Sequence, residues 1–412
     1  MKLTVVGGGS TYTPELVDGI SAGIDEIVLV DPDEQRLAVV GDFCRRLLRG
    51  SPAALSTTTD LEEGARGAAA VLLQLRVGGQ GARYRDETFP LEHGCVGQET
   101  TGAGGLAKAL RTVPVVLDIA DRVREVAPDA WLVNFTNPVG IVTRALQREG
   151  HPAVGLCNVA ITFQRWIAGL LDRDWRSVQL EHVGLNHLTW VRGVQVDGTE
   201  VLPELLAERG PELAEHVGLP LALLNRLGAI PSYYLKYFYT HDEVVARERS
   251  HPPRATVVSD VERDLLRRYS DPSVTTKPDE LMLRGGAYYS EAAVRLVHAL
   301  TSDGPPETHV VNVRNDGALE FLPDDAVIET NAQVSAEGAR PLPVRPLDPA
   351  LSGLIAHVTA YEHLALEAAV LGGRDRVAEA LLAHPLIGRY HLAEELADEL
   401  VELNAAFLPW TT

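Results

Sequence analysis

A cysteine and a histidine stand where a transition metal could be bound. Cys157 ends an apolar run that begins at Ala153, and His187 lies inside the apolar, strand-like stretch from Val183 to Trp190. A thiolate and an imidazole can ligate one metal ion, with substrate oxygens completing an open coordination site. The spacing equally fits a buried thiol and a hydrogen-bonded core imidazole, because a free cysteine packs as a small apolar side chain. From the residues alone, the pair is a metal-site hypothesis.

A cluster of tyrosines lies in the middle of the chain. Four of them fall within seven residues, at Tyr233, Tyr234, Tyr237 and Tyr239. If this stretch is helical, Tyr233 and Tyr234 each share a face with Tyr237, so that one ring could point into a cleft with Lys236 nearby. An aromatic packing stripe is the interpretation that suits most of these rings.

The N-terminal stretch predicts a dinucleotide site. The apolar run Leu3–Val6 is typical of a buried strand, and the glycines after it let backbone N–H groups approach a pyrophosphate. The helix that opens near Thr13 would point its positive end at the same place. A second apolar strand ends in an acid about 20 residues later, which favours NAD over NADP. The residues assigned to this cofactor are Gly7, Gly8, Gly9, Ser10, Thr11 and Asp31.

The dinucleotide motif is incomplete, so a second interpretation stays open. Tyr12 stands at the third glycine position of G-x-G-x-x-G. A glycine-rich turn in another kind of doubly wound protein would look similar.

Further polar side chains stand at the ends of predicted elements. Arg76 follows the apolar run that ends at Leu75, and Arg284 precedes a predicted helix, so both are candidates for binding an anion. Asn137 follows a strand that begins at Trp131, and its amide could hold sugar hydroxyls. The alternatives are a solvated surface charge for each arginine and a capped turn for the asparagine.

Composition restricts the partners. The chain has 412 residues, with 37 Lys and Arg against 57 Asp and Glu, for a net charge of −20. This acidic balance argues against nucleic acid or an anionic membrane as the main partner. No early stretch has the form of a secretory signal, no apolar run approaches the roughly 18 residues of a membrane helix, and the three cysteines do not form a secreted disulfide pattern. We therefore expect a cytoplasmic protein.

The order of predicted elements gives the fold class. Strand and helix patterns alternate up to about residue 160, which predicts a parallel sheet. The stretch from Leu351 to Leu403 is almost entirely helical in pattern. The chain is therefore predicted to divide into a dinucleotide-binding domain at residues 1–160 and a metal, substrate and oligomerisation domain at residues 161–412.

Taken together, these stretches resemble glycoside hydrolase family 4, the NAD- and metal-dependent glycosidases related in fold to lactate and malate dehydrogenases. The resemblance covers essentially the whole chain, and it implies an α/β fold with a Rossmann-like, doubly wound N-terminal domain and a mixed α+β, helix-rich C-terminal domain. Nine short motifs carry it in the family's order: GGGSTYTPE, QLRVGG, GQETTGAGG, NFTNPVGIVT, GLCN, GLNH, YLKYFY, RGGAYYS and LPDD.

The resemblance also implies roles for single residues. Cys157 and His187 become ligands of Mn²⁺, and Tyr234 becomes the base, with Tyr237 and Tyr233 as alternates. Arg76 and Arg284 are assigned to a sugar phosphate, and Asn137 and Asn158 to the substrate. The sequence Cys157-Asn158-Val159 resembles the 6-phospho-β-glucosidase subgroup, although Ala160 stands where that subgroup has proline.

The implied reaction is hydrolysis of a 6-phospho-β-glucoside without the usual pair of catalytic carboxylates. It consists of NAD⁺- and Mn²⁺-dependent oxidation at C3, deprotonation at C2, elimination of the aglycone, water addition and re-reduction. A homodimer or homotetramer is usual for the family. The alternatives are another family 4 glycosidase with an α-linked or unphosphorylated substrate, an NAD-dependent 2-hydroxy acid dehydrogenase, and a sugar-phosphate- or NAD-sensing binding protein.

Overall fold

A nine-stranded sheet forms the centre of the protein. The computed structural model describes residues 1–19, 23–284 and 288–411, without the side chains of Arg284 and Tyr289. The strands are β1 (Lys2–Val6), β2 (Glu26–Val30), β3 (Ala54–Thr58), β4 (Ala70–Leu73), β5 (Trp131–Asn134), β6 (Ala153–Gly155), β7 (Val178–Leu185), β8 (Leu188–Val196), β9 (Thr199–Glu200), β10 (Ile230–Pro231), β11 (Glu307–Arg314), β12 (Val327–Ser335) and β13 (Gly338–Pro341).

The first six strands are parallel and lie in the order β3-β2-β1-β4-β5-β6. This is the doubly wound order that brings ligands to the carboxyl ends of the strands where the winding reverses. Every residue of β4 is buried, as expected for a strand covered on both faces. The predicted α/β fold class with a Rossmann-like N-terminal half is confirmed.

Helices cover both faces of this sheet. The α-helices are α1 (Thr13–Asp18), α2 (Glu34–Leu47), α3 (Leu61–Ala65), α4 (Gly79–Glu92), α5 (Gly102–Val126), α6 (Val139–Arg148), α7 (Val159–Leu170), α8 (Leu202–Val217), α9 (Leu221–Leu227), α10 (Lys236–Tyr239), α11 (His241–Ser250), α12 (Arg254–Tyr269), α13 (Tyr289–Thr301), α14 (Pro349–Leu371), α15 (Arg374–Leu382) and α16 (Tyr390–Asn404). Short 3-10 helices span Trp175–Ser177, Tyr233–Leu235, Asp279–Arg284, Ala405–Phe407 and Pro409–Thr411. One core joins α5 and α6 to the sheet, and a second core joins α1, α2 and α13 to its other face.

The second half of the chain continues the same sheet. β11 pairs antiparallel with β6 through Asn312 and Gly155, and β12 and β13 follow antiparallel beyond it. Residues on both sides of position 160 therefore share one sheet, and the division into domains at that position stays a prediction.

A small second sheet holds the hairpin that carries His187. β7 pairs with β8, and β10 pairs with the other edge of β8. β7 is tied to β12 by side chains: the His182 N–H donates to Asn331 Oδ1 (2.8 Å), and Thr330 Oγ1 donates to the His182 carbonyl (3.0 Å). These bonds place the β7–β8 turn beside the end of β6.

The long helix α14 belongs to the core. It is long and apolar enough to cross a membrane by length and composition, but half of the qualifying stretch is buried inside the protein. Leu351, Ile355 and Leu366 of this helix pack in the main core. A helix with these contacts is accounted for by packing.

Candidate functional site

The glycine turn after β1 is held by hydrogen bonds from its own backbone to the end of β2. The N–H groups of Gly7 and Gly8 both donate to the Val30 carbonyl at 2.9 Å, and the Gly9 N–H donates to Asp31 Oδ2 at 2.9 Å. Gly7 has a φ of +88°, and a Cβ there would lie 2.5 Å from the Gln74 carbonyl oxygen. A side chain at this position would both strain the backbone and collide with it.

A cleft of about 900 Å³ runs from this turn across the carboxyl ends of the parallel strands. Among the residues predicted to bind ligands, those that line it are Gly7, Gly9, Ser10, Asp31, Arg76, Asn137, Cys157, Asn158, His187 and Tyr234. Gly8 and Thr11 are buried and do not line it. At Gly8, a Cβ would lie 2.7 Å from the Leu29 Cβ, so this glycine serves the packing of β1 against β2.

Cys157 and His187 lie in the same cleft, although thirty residues separate them. Both side chains are buried, and the described residues contain no group of three or more potential metal ligands. Burial, and then the Glu329 carboxylate, raise the pKa of the Cys157 thiol, whereas burial lowers the pKa of His187 to about 3. The imidazole is therefore neutral and able to ligate a metal, while the thiol requires a cation to lose its proton.

The buried carboxylate of Glu329 accepts a hydrogen bond from the turn that carries His187. Asn186 Nδ2 donates to Glu329 Oε2 at 2.8 Å, and Asn312 Nδ2 donates to the same oxygen at 2.9 Å. His187 has a φ of +62°, in the left-handed region that few side chains other than glycine occupy. Local strain of this kind persists where the surrounding structure imposes it, and it is common at functional sites.

The tyrosines differ in whether they line the cleft. The Tyr234 ring stacks on His187 with 3.7 Å between ring centroids and an interplanar angle of 6°, and it lines the cleft. Tyr237 is buried and does not line the cleft. Tyr233–Leu235 form a 3-10 turn that continues into α10, and the ring centroids of Tyr234 and Tyr237 lie 6.2 Å apart.

The side chain of Lys236 lies beside Tyr237. Its ammonium lies over the ring of Tyr237, 5.4 Å from the centroid, and not against Tyr234. Burial, followed by the neighbouring Tyr233, raises the pKa of Tyr234 well above its ordinary value. A Tyr234 phenolate would need a nearby positive charge, which a metal ion held by Cys157 and His187 would supply.

Arg76 belongs to a buried charge cluster that the sequence did not reveal. Glu99 accepts hydrogen bonds from Arg76 and Lys108 and pairs with Arg83 at 3.3 Å. Burial alone would raise the pKa of Glu99, but these three cations hold it well below its ordinary value. Burial, and then Arg76, lower the pKa of Lys108 to about 7. Arg76 and Lys108 both line the cleft, so the cluster presents positive charge to it.

Replacing Glu99 with glutamine should lower the free energy of unfolding by about 3–5 kcal/mol, because it leaves buried cations without their counter-ion. The folded-state pKa of Glu99 lies below its unfolded value, so the wild-type cluster stabilises the fold at neutral pH and loses that contribution as the pH falls through the acid range. Denaturant unfolding across this range measures both effects. Glu62→Gln, at an exposed pair with Arg122, is the matched control and should leave the unfolding curve nearly unchanged.

The asparagines and the second arginine have different outcomes. Asn137 lines the cleft, and its Oδ1 is buried without a hydrogen-bond partner among the described residues. Asn158 lies at the start of α7 but makes no capping bond with its side chain. Asn134, by contrast, caps its own turn, since its Oδ1 accepts from the Thr136 N–H at 2.9 Å. The side chain of Arg284 lies outside the described residues, so its assignment stays a prediction.

The fold and the cleft define a Rossmann-like protein with a dinucleotide turn and a thiol–imidazole pair in one site. Two family models match the chain: family 4 glycosyl hydrolase at residues 2–173, and family 4 glycosyl hydrolase C-terminal domain at residues 182–387. The chain belongs to glycosyl hydrolase family 4. The family prediction is confirmed.

Individual relatives show which members of the family this chain is similar to. The chain is 37% identical to a 6-phospho-β-glucosidase of Escherichia coli, over 99% of this chain and 96% of that one. It is 29% identical to 6-phospho-α-glucosidase 1 of Lacticaseibacillus paracasei, over 99% and 98%. The 6-phospho-β-glucosidase of Thermotoga maritima, solved with manganese, NAD⁺ and glucose-6-phosphate, superposes with a TM-score of 0.93 at 35% identity, covering 99% of both chains.

A malate dehydrogenase from Salinibacter ruber shares the fold, with a TM-score of 0.56 at 18% identity over 91% of this chain and 99% of that one. This likeness agrees with the predicted relation to the dehydrogenases in fold.

Proposed function

We propose that this protein hydrolyses 6-phospho-β-glucosides, with NAD⁺ and a divalent metal such as Mn²⁺ as cofactors. The observation that carries the proposal is the single cleft in which Asp31 and the glycine turn stand at one end and Cys157, His187 and Tyr234 at the other. A simple hydrolase has no use for a dinucleotide turn beside its substrate. A redox-assisted elimination needs both halves of this cleft.

The β configuration is favoured by two observations. Identity to the 6-phospho-β-glucosidase of E. coli is 37%, against 29% to the 6-phospho-α-glucosidase of L. paracasei. Asn158 directly follows Cys157, as in the β subgroup that the sequence resembles. An asparagine cannot act as an acid toward the leaving group, so Asn158 is assigned to binding the substrate.

NAD⁺ is assigned to the glycine-turn end. Gly7, Gly9, Ser10 and Asp31 line the cleft there. The Asp31 carboxylate accepts from Gly9 and, at 3.0 Å, from the Asp33 N–H, so it both shapes the turn and presents oxygens to a ribose.

Asp31→Ala should therefore weaken NAD⁺ binding by about tenfold or more, because hydrogen bonds to a charged group are worth about 1.5–3 kcal/mol. Isothermal titration with NAD⁺ measures the loss. Asp60→Ala, at the capping carboxylate of α3 that accepts from the Glu63 N–H at 2.8 Å, is the control and should bind NAD⁺ normally. Equal affinities of Asp31→Ala and wild type would remove Asp31 from the cofactor site.

The metal is assigned to Cys157 and His187. Two protein donors of this kind suit a transition metal and leave coordination positions open for sugar hydroxyls. When bound, NAD⁺ supplies a hydride acceptor for C3 of the sugar, and the metal supplies Lewis acidity at the neighbouring hydroxyls. The thiolate that Cys157 must become is compatible with this cation, whose charge offsets the effect of burial on its pKa.

The other side chains bind and orient the sugar. Tyr234 is assigned to removal of the C2 proton once C3 is a ketone, and this assignment is supported by its ring lying against His187 in the cleft. Arg76, held by Glu99, is assigned to the 6-phosphate, and the unpaired Asn137 Oδ1 to a sugar hydroxyl. Arg284 keeps its predicted place at the phosphate. After elimination and water addition, return of the hydride leaves no net redox change.

A panel of four p-nitrophenyl glucosides tests the substrate class: β and α linked, each with and without the 6-phosphate. The β-linked phosphorylated compound should release p-nitrophenol only with both Mn²⁺ and NAD⁺, without accumulation of NADH. Turnover of a different member of the panel would keep the family and overturn the assigned specificity. Net NADH formation from a hydroxy acid would indicate a dehydrogenase.

We also expect the protein to work in the cytoplasm. A homodimer or homotetramer is expected, because such assemblies are usual for family 4. Light scattering on the purified protein would give the assembly.

A further inference from the structure

A polar loop between α4 and α5 contacts the metal-site histidine. Thr100 Oγ1 lies 2.8 Å from His187 Nδ1 and 2.7 Å from Gln98 Oε1. The backbone N–H of Thr100 also donates to Gln98 Oε1. The loop belongs to the motif GQETTGAGG, in which the function proposed above gives a role to Glu99 but none to Gln98 or Thr100.

The donor and acceptor roles in these contacts follow from the chemistry of the groups. A backbone N–H can only donate, so the Gln98 atom that it meets is the amide oxygen, which can only accept. The single Thr100 hydroxyl hydrogen therefore goes to Gln98. The Thr100 oxygen is left as an acceptor, and the hydrogen between it and His187 must come from Nδ1.

We propose that Thr100 and Gln98 are positioning residues that hold His187 as the tautomer with its proton on Nδ1, leaving the Nε2 lone pair free for a metal ion. The inference rests on the proposed function in one respect, namely that His187 is a metal ligand. A metal-bound histidine commonly donates its other N–H to a neighbouring acceptor, which fixes both the tautomer and the ring orientation.

Two further observations agree with this assignment. Within the described ranges, Nε2 of His187 has no hydrogen-bond partner, and His187 lines the cleft beside Cys157. The ring face is held by the stack with Tyr234 at 3.7 Å. The imidazole is thus fixed at one nitrogen and on one face, with its second nitrogen available.

Thr100→Val removes the acceptor while keeping the shape of the side chain, and it should weaken Mn²⁺ binding by about 10- to 100-fold. Thr100→Ser keeps the hydroxyl and should restore affinity to near the wild-type value. Free Mn²⁺ is measured by electron paramagnetic resonance during titration of the NAD-loaded protein without substrate. NAD⁺ affinity, measured separately, should be unchanged in both variants.

Gln98 offers a second pair of variants. Gln98→Leu frees the Thr100 hydroxyl hydrogen to donate to Nδ1, so Mn²⁺ affinity should fall although Thr100 remains. Gln98→Glu keeps an acceptor oxygen and should bind Mn²⁺ more tightly than Gln98→Leu.

The outcomes are distinguishable. Wild-type affinity in Thr100→Val, or a loss that Thr100→Ser does not restore, would overturn the positioning role. Loss of NAD⁺ binding along with Mn²⁺ would indicate a structural role and would overturn it as well. If the wild-type protein itself bound no Mn²⁺, the proposed metal site would fail and this inference would fail with it.

Discussion

Replacing Tyr234 with phenylalanine is expected to lower turnover by about a hundred- to ten-thousand-fold, the range that a positioned acid or base contributes. The substitution removes only the phenol oxygen. The ring stack on His187 can stay in place, so NAD⁺ and Mn²⁺ affinities should be close to wild type. The expected defect is in exchange of the C2 proton with solvent, which mass spectrometry of product and recovered substrate measures.

Tyr237→Phe separates the two candidate bases. Tyr237 does not line the cleft, and Lys236 lies over its ring, so loss of its phenol oxygen should leave C2 exchange largely intact. If Tyr237→Phe abolished exchange and Tyr234→Phe did not, the assignment of the base would be wrong.

Replacing Cys157 with serine is expected to weaken Mn²⁺ binding by more than the roughly 10- to 100-fold that loss of an outer contact costs, because it removes one of the two protein ligands that we propose. Serine keeps the size of the side chain but provides no anionic ligand near neutral pH. Titration followed by electron paramagnetic resonance gives the affinity, and hydrolysis should fall with it.

Cys95→Ser is the matched control for this variant. Cys95 is a buried thiol near the start of the polar loop, outside the cleft lining. It should bind Mn²⁺ as the wild type does, whereas unchanged binding by Cys157→Ser would contradict the metal assignment.

The fold was predictable because its signals are local. Runs such as Ala70–Leu73 are apolar throughout, and such strands belong in a sheet covered on both faces. The glycines after β1 mark the turn because the backbone geometry there leaves no room for a side chain. The acid after β2 marks it because it stands where a ribose-binding carboxylate is expected. The continuation of the sheet by β11–β13 was not predicted, since pairing of Asn312 with Gly155 joins distant parts of the chain.

The site was predictable only in part. Cys157 and His187 stand thirty residues apart, and their common cleft depends on β12 holding the β7 hairpin, a contact that spacing does not encode. The family resemblance, not periodicity, paired them. The preference for Tyr234 over Tyr237 depends on tertiary contacts, since the Tyr234 ring lies against His187 in the cleft and Tyr237 does not line it.

The charged and polar contacts of the loop after α4 were missed. This loop contains the motif GQETTGAGG, and such polar, glycine-rich composition is typical of a loop that lines a site. The motif alone did not show that Glu99 pairs with Arg76 and Lys108, or that Thr100 contacts His187. Loop side chains acquire partners only when distant elements fold around them.

The central claim is that hydrolysis proceeds through oxidation at C3 and loss of the C2 proton. The most direct measurement is hydrolysis of p-nitrophenyl 6-phospho-β-glucoside in deuterium oxide with Mn²⁺ and NAD⁺, followed by analysis of the glucose-6-phosphate formed. Deuterium at C2 of this product, dependent on both cofactors, is the predicted result. Product formed with its original hydrogen at C2 would mean direct displacement at the anomeric carbon and would contradict the account.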